Sequence, residues 1–196
     1  MVSILDVSLP IISFVLFSLL TIPVVRAIRK RKSKRTVLSS CWAAIVFFTA
    51  TATVANLAIK YYDQASSNPF LSISLTSGTH AVFSSTFLID AVSIYMAIIF
   101  TMVGAVVFLY SMFYVDLSEK LSERYYAIML IIIGSIIGAA FSGDLLTLFI
   151  FWEASAAGSS FLMLYRKTPR SLNATLRYLV MIIIASAFIV YGLSIV

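Results

Sequence analysis

The chain has 196 residues, 61% of them hydrophobic and 11% charged, with a mean hydropathy of +1.04. That composition excludes a soluble globular domain and marks a polytopic membrane protein. The net charge of +6 is concentrated between apolar stretches, which argues against nucleic acid as a partner. The single cysteine, Cys41, excludes an internal disulfide and any zinc or iron–sulfur site built from the chain's own thiolates.

Six stretches are long and apolar enough to span a bilayer, which predicts an all-α integral membrane protein with one transmembrane domain over residues 1–196. Helix 1 covers about residues 4–28, with Asp6 at its solvated outer end, Pro10 near its start and Pro23 near its end. Without a basic leader or a cleavage site it reads as a retained helix rather than a signal peptide. The block Arg29-Lys30-Arg31-Lys32-Ser33-Lys34-Arg35 that follows is too charged for hydrocarbon and suits anionic lipid head groups. Helix 2 covers about 37–59 and is closed by Lys60-Tyr61-Tyr62, an aromatic pair fitted to the membrane interface. In the long loop from Asp63 to Ser85, Phe70 to Leu75 alternates apolar and polar residues. Thr76-Ser77-Gly78-Thr79 and Ala81-Val82-Phe83 follow, and together they predict a short β-hairpin on the outer surface. His80 in that loop has no second ligand nearby, so no metal or cofactor site is expected on this chain.

Helix 3 is expected over 86–115, with Asp90 capping amides near its outer end. A mixed-charge connection, Asp116 to Arg124, leads to helix 4 over 125–141, where Gly134-Ser135-Ile136-Ile137-Gly138 marks close helix contact. Ser142-Gly143-Asp144 turns the chain into helix 5 over 145–165. Asp144 is expected chiefly to cap that helix, with a functional role as the secondary reading. Arg166-Lys167-Thr168-Pro169-Arg170 ends it. Helix 6 covers about 172–196, and Arg177 near its start can snorkel to the surface or reach inward. Asn173-Ala174-Thr175 fits a glycosylation sequon but sits at the basic, inner side, where glycosylation does not occur.

Helix 5 departs from ordinary membrane composition. From Leu145 to Tyr165 the one charged residue is Glu153, about 12 Å in from Leu145 at ~1.5 Å per residue and so near the middle of a ~30 Å hydrocarbon layer. A carboxyl at that depth costs at least a few kcal/mol unless it is protonated, paired or wetted, and such acids usually face the protein interior or water. Seven small residues, Ala154 to Ser160, follow it and let neighbouring helices or water approach. A protonated Glu153 hydrogen-bonded to a neighbouring helix is the structural alternative to a proton pathway.

Every basic residue except Lys60 flanks the first, third or fifth connection. The positive-inside rule therefore places those connections in the cytoplasm and both termini outside.

Several pieces of the sequence resemble one family. Ile89-Asp90-Ala91-Val92-Ser93 and Leu109 to Tyr114 bound helix 3. The run from Arg124-Tyr125-Tyr126 through Asp144-Leu145-Leu146 to Phe151-Trp152-Glu153 is the most specific, and Ala174-Thr175-Leu176-Arg177-Tyr178 opens helix 6. These are similar to the amino-terminal six helices of the antiporter-like subunits of respiratory complex I, membrane-bound hydrogenases and multi-subunit Na⁺/H⁺ antiporters. The likeness is good from about Thr86 to Tyr191 and rests on hydropathy before that. It implies a truncated antiporter-like fold, with Glu153 at the helix-5 glutamate of a proton-transfer site. Arg177 stands where many relatives carry lysine, and as an arginine it tunes Glu153 electrostatically without relaying protons. Members of the family have about fourteen helices and carry lysines on the seventh, eighth and twelfth, all beyond this chain.

The leading expectation is a membrane-arm subunit of an energy-converting complex in a prokaryotic plasma membrane, moving protons or sodium through Glu153. Other membrane subunits would supply the missing helices, cofactor-bearing subunits the redox chemistry, and lipid the surroundings. A cation moving within ~4–6 Å of Glu153 would load or release its proton. The alternatives are a small homo-oligomeric transporter and a purely structural or assembly role. The topology is checked with a membrane-impermeant thiol reagent on intact cells, in a chain with Cys41 replaced by serine. Ser77→Cys should be labelled from outside and Ser33→Cys protected, and the reverse pattern refutes the orientation.

Overall fold

A computed structural model describes residues 4–30, 35–65, 71–74, 86–114, 122–164 and 168–195. In chain order the elements are α1 (Ile4–Lys30), α2 (Arg35–Ala65), β1 (Leu71–Ser74), β2 (Thr86–Ile89), α3 (Ala91–Tyr114), α4 (Ser122–Ala140), α5 (Leu145–Met163) and α6 (Pro169–Ile195). The architecture is thus the expected all-α membrane fold with one small hairpin. Five of the helices are long and apolar enough to cross a membrane; the apolar part of α4, Arg124–Ala140, is shorter than the others. That shorter helix is also the most enclosed, packed against α1, α3 and α5.

The hairpin forms with a different second strand. β1 pairs antiparallel with β2 in the register Leu71↔Ile89 to Ser74↔Thr86, so Thr86 to Ile89 extends the sheet instead of opening helix 3. Thr-Phe-Leu-Ile is a β-branched and aromatic run that suits a strand, and it places Phe87 and Ile89 in the core. Its free edge is covered: the Leu88 amide donates to the Phe141 carbonyl (3.0 Å) and the Gly143 amide to that of Thr86 (2.8 Å). α3 begins after Asp90, whose carboxylate accepts from the Ser93 amide at 2.7 Å, a cap of the ordinary kind.

Two helix ends also move. α2 runs through Tyr61 and Tyr62 to Ala65. Pro169 opens α6 instead of terminating α5, because a proline at the first helical position lacks only an amide that has no partner there. Thr168 caps it reciprocally with Ser171, each amide donating to the other's hydroxyl at 3.1 Å. The basic positions 31–34, the Ala81-Val82-Phe83 stretch, His80, the connection over 115–121 and positions 166–167 lie outside the described residues.

Lipid tails are as apolar as leucine, so close fit rather than hydrophobicity holds membrane helices together. Here a line of buried aromatics ties four helices. Phe14 of α1 meets Phe47 of α2 (6.0 Å between centroids), Phe47 meets Phe108 of α3 (5.3 Å), and Phe108 meets Tyr126 of α4 (5.4 Å). The Tyr126 hydroxyl donates to the Ser111 carbonyl at 3.3 Å, and Ser18 of α1 donates to the Ala127 carbonyl at 2.9 Å. The glycine pair of α4 admits its neighbours. A methyl group at Gly134 would lie 2.8 Å from Phe14 Cβ, and one at Gly138 would lie 2.5 Å from the Phe151 ring of α5. Gly158 of α5 reciprocates against Ile132, at 2.5 Å. Gly138→Ile should therefore destabilise the α4–α5 contact by about 1–3 kcal/mol. Thermal unfolding in mild detergent measures this, with Gly192→Ala, where nothing lies within 4 Å, as the control that keeps wild-type stability.

Candidate functional site

The site is built by α5 and α6, and α4 forms its back wall. Glu153 is at the middle of α5, which carries large aliphatic and aromatic residues in its first half and mostly small ones in its second. The change in residue size lets α6 approach: Ala156 and Ser159 of α5 and Ala185 and Ser186 of α6 line a cavity of about 410 Å³ between the helices. Ile132 and Ile136 of α4 close its far side, and Glu153, Ser155 and Tyr178 complete its polar lining.

Ser186 is the direct partner of the acid, its hydroxyl donating to Glu153 Oε1 at 2.6 Å. The same hydroxyl is 2.9 Å from the Ile182 carbonyl. One serine proton serves only one acceptor at a time, and this makes the pair work in either protonation state. When Glu153 is ionised, Ser186 donates to it. When Glu153 is protonated, its O–H donates to Ser186 Oγ, and Ser186 turns its own proton to the Ile182 carbonyl. Neither state strands a polar hydrogen in the membrane, so a proton can come and go without rearrangement of the helices.

Arg177 is not brought to Glu153. Two contacts fix the α5–α6 register: Glu153 with Ser186, and Ser159 with Tyr178, whose hydroxyl oxygens are 3.0 Å apart. Arg177 lies nine residues before Ser186, about 13 Å along the helix axis, and its side chain tilts towards the helix N-terminus, farther still from the acid. It is exposed. Arg177 therefore makes no contact with Glu153, and the electrostatic partnership expected of it would have to act across that distance.

Asp144 is placed as the cap of α5. Its carboxylate accepts from the Thr147 amide (2.7 Å) and hydroxyl (2.8 Å) and, across the fold, from the Thr86 amide (2.7 Å) and hydroxyl (3.1 Å). It therefore pins β2 to the start of the helix that carries Glu153. Sequence reading identified the cap but not the cross-link, because Thr86 is distant in the chain. Ser186 and Tyr178 were also missed as site residues. A serine in a helix ordinarily bonds back to its own turn, so the pattern carries no sign of an acid opposite. Among the described residues no three His, Cys, Asp or Glu side chains cluster as metal ligands would.

Residues 142–196 match the family model described as NADH:quinone oxidoreductase/Mrp antiporter, TM. One of the Na⁺/H⁺ antiporter subunits of Alkalihalophilus pseudofirmus is 30% identical over 105 residues, 49% of this chain and 13% of that protein. One of the F420H2 dehydrogenase subunits of Methanosarcina mazei is 30% identical over 118 residues, 60% of this chain and 24% of that protein. A chain of the membrane-bound sulfane sulfur reductase, an archaeal respiratory membrane complex, superposes with a TM-score of 0.62 at 20% identity, covering 93% of this chain and 36% of that one. The chain resembles the antiporter-like membrane subunits. The structural match, over 93% of the chain, shows a shared fold that takes in most of α1 and α2, for which the sequence offered hydropathy alone. The chain spans well under half the length of each of these relatives.

Asp144 gives a pH-dependent test of the cap. Partial burial alone raises its pKa, but the amide and hydroxyl donors of Thr86 and Thr147 outweigh burial and hold it below the ordinary carboxylate value. The unfolded chain then binds this proton more readily than the folded one. The contribution is complete above about pH 4 and is lost as acidification proceeds through the depressed folded value. Asp144→Asn should lower stability at neutral pH by about 1–3 kcal/mol and flatten the acid limb, as read by thermal unfolding in detergent between pH 7 and 3.

Proposed function

We propose that this chain is a membrane-arm subunit of a multi-subunit ion-translocating complex, in which Glu153 takes up and releases a proton during transport of protons or sodium. The observation that carries the reading is the Glu153–Ser186 pair in a cavity at mid-helix. An intramembrane carboxyl kept for structure needs one neutral partner. This one has a partner able to donate or accept, and a space large enough for water. The relatives named above are subunits of an antiporter, a dehydrogenase and a respiratory complex, which supports the same role in a larger assembly.

The cavity and α6 both call for further protein. α6 rests chiefly on α5, and Thr175 is its one buried residue. Phe188, Met181, Ile183 and Tyr191 all stand outward. In our reading other membrane helices cover that side and bring the cation whose movement loads and unloads Glu153, a role for which Arg177 is too distant. Subunits bearing cofactors carry the redox chemistry. The basic ends of the helices face the cytoplasm of a prokaryotic cell and both termini lie outside.

The test is Glu153→Gln in the assembled complex. Glutamine keeps the shape and still accepts from Ser186, but it does not titrate. Ion uptake into vesicles, normalised to assembled complex, should fall by at least about tenfold, while the partners' redox activity with artificial acceptors persists. Glu153→Asp, which withdraws the acid by one methylene, should fall between. Wild-type pumping by the glutamine variant would instead make Glu153 a structural hydrogen-bonding group.

A further inference from the structure

The cavity does not end at Glu153. It continues along α5 and α6 towards the end of the bundle marked by Arg170, and its wall there carries a second hydrogen-bonded pair. Ser159 Oγ is 3.0 Å from the Tyr178 hydroxyl and donates to the Ala156 carbonyl at 2.7 Å. With the serine proton so used, the Tyr178 O–H is the donor between the two. Both side chains line the same cavity as Glu153. Ser159 lies six residues beyond Glu153, about 9 Å along the axis. Hydrogen-bonded oxygens are ~2.8 Å apart, so two or three waters would span that interval. A cavity of about 410 Å³ has room for them at ~30 Å³ each, and Ser155 between the two ends gives them a further polar contact. Past Glu153 in the other direction the lining is Trp152 and Ile189, so the polar wall leads to one side only.

We infer that Tyr178 and Ser159 form a relay that delivers protons to Glu153 from the basic end of the bundle and thereby sets the side from which it loads. This rests on Glu153 being a transfer site. In each delivery a hydronium at the basic-end mouth gives a proton to the Tyr178 oxygen. Tyr178 passes its own hydroxyl proton to Ser159 Oγ, and Ser159, its O–H turned away from the Ala156 carbonyl, passes its proton to a cavity water. The water chain then protonates the Glu153 carboxylate. The net change is one hydronium turned to water and one carboxylate to carboxylic acid. Each hydroxyl donates as it accepts, so neither has to exist as an anion.

The experiment uses Tyr178→Phe, Ser159→Ala and Ser159→Thr in the assembled complex in inverted membrane vesicles. Tyr178→Phe keeps the ring and Ser159→Ala removes one oxygen, so complex yield should hold. Translocation per complex should fall by about tenfold or more in both, with a larger solvent deuterium isotope effect, and Ser159→Thr should restore it by returning a hydroxyl. Wild-type translocation in Tyr178→Phe and Ser159→Ala beside a dead Glu153→Gln would overturn the relay and leave Glu153 in place. An active Glu153→Gln would remove the site that the relay serves. A loss in Tyr178→Phe that tracks complex yield, with an unchanged isotope effect, would also overturn it, since it marks packing rather than proton delivery.

Discussion

The structure depends on how closely α4 can be approached. In a membrane, apolar side chains gain nothing from water by packing together, and a helix is fixed in place by contact distance and shape. α4 is flanked by α1, α3 and α5, and at Gly134 and Gly138 the neighbouring side chains occupy the space that any larger residue would need. The α5 backbone is held against α4 by Gly138 under Phe151 and by Gly158 under Ile132. The depth and rotation of Glu153 follow from those two contacts. Gly138 and Gly158 thus determine where the acid faces.

Two carboxylates on one helix are treated in opposite ways. Asp144, at the N-terminal cap of α5, has four donors and a depressed affinity for its proton; the surroundings commit it to one charge state. Glu153 has a single hydroxyl that can reverse its role, beside open volume. Numerous fixed donors make a cap, whereas a reversible donor and space for water make a group that can change state. The difference lies in the partners and not in the carboxyl group, so Asp144 serves as structure and Glu153 as the candidate for transfer.

Hydropathy and turn chemistry made most of the fold legible. Asp90, Asp144 and the glycine pair were readable because caps and close contacts are local patterns. Thr86 to Ile89 was misread for a physical reason: its apolar character runs on without a break into α3, and nothing local separates an apolar strand from the first turn of a membrane helix. The strand pairs with β1 on one edge, and on the other Phe141, Gly143 and Asp144, over fifty residues later, complete its hydrogen bonds. Glu153 stood out because a charge is conspicuous at mid-membrane. Ser186 did not, since its pairing depends on the antiparallel register of α5 and α6. The same register sets Arg177 about nine residues along α6 from the acid's partner, a spacing that the sequence of one helix does not reveal.

The short apolar length of α4 follows from the same enclosure. Seventeen residues, Arg124–Ala140, give about 25 Å of helix at ~1.5 Å per residue, less than a ~30 Å hydrocarbon layer. For a lipid-facing helix that shortfall would have to be met by a thinner bilayer or by snorkelling side chains. α4 largely avoids the mismatch because protein surrounds it on three sides, and its ends join a turn held by β2 and the Tyr125–Tyr126 pair rather than bare lipid. α6 is the converse: 27 residues long, about 40 Å, with Thr175 as its one buried residue. A helix that must meet lipid or partner helices along its whole length needs the full span, whereas one enclosed by its own chain can be shorter and use its small residues for contact. The cavity lies where these two kinds of helix face each other across α5. Among the described residues, that is where a tightly packed wall and a largely exposed helix meet at the depth of a carboxyl.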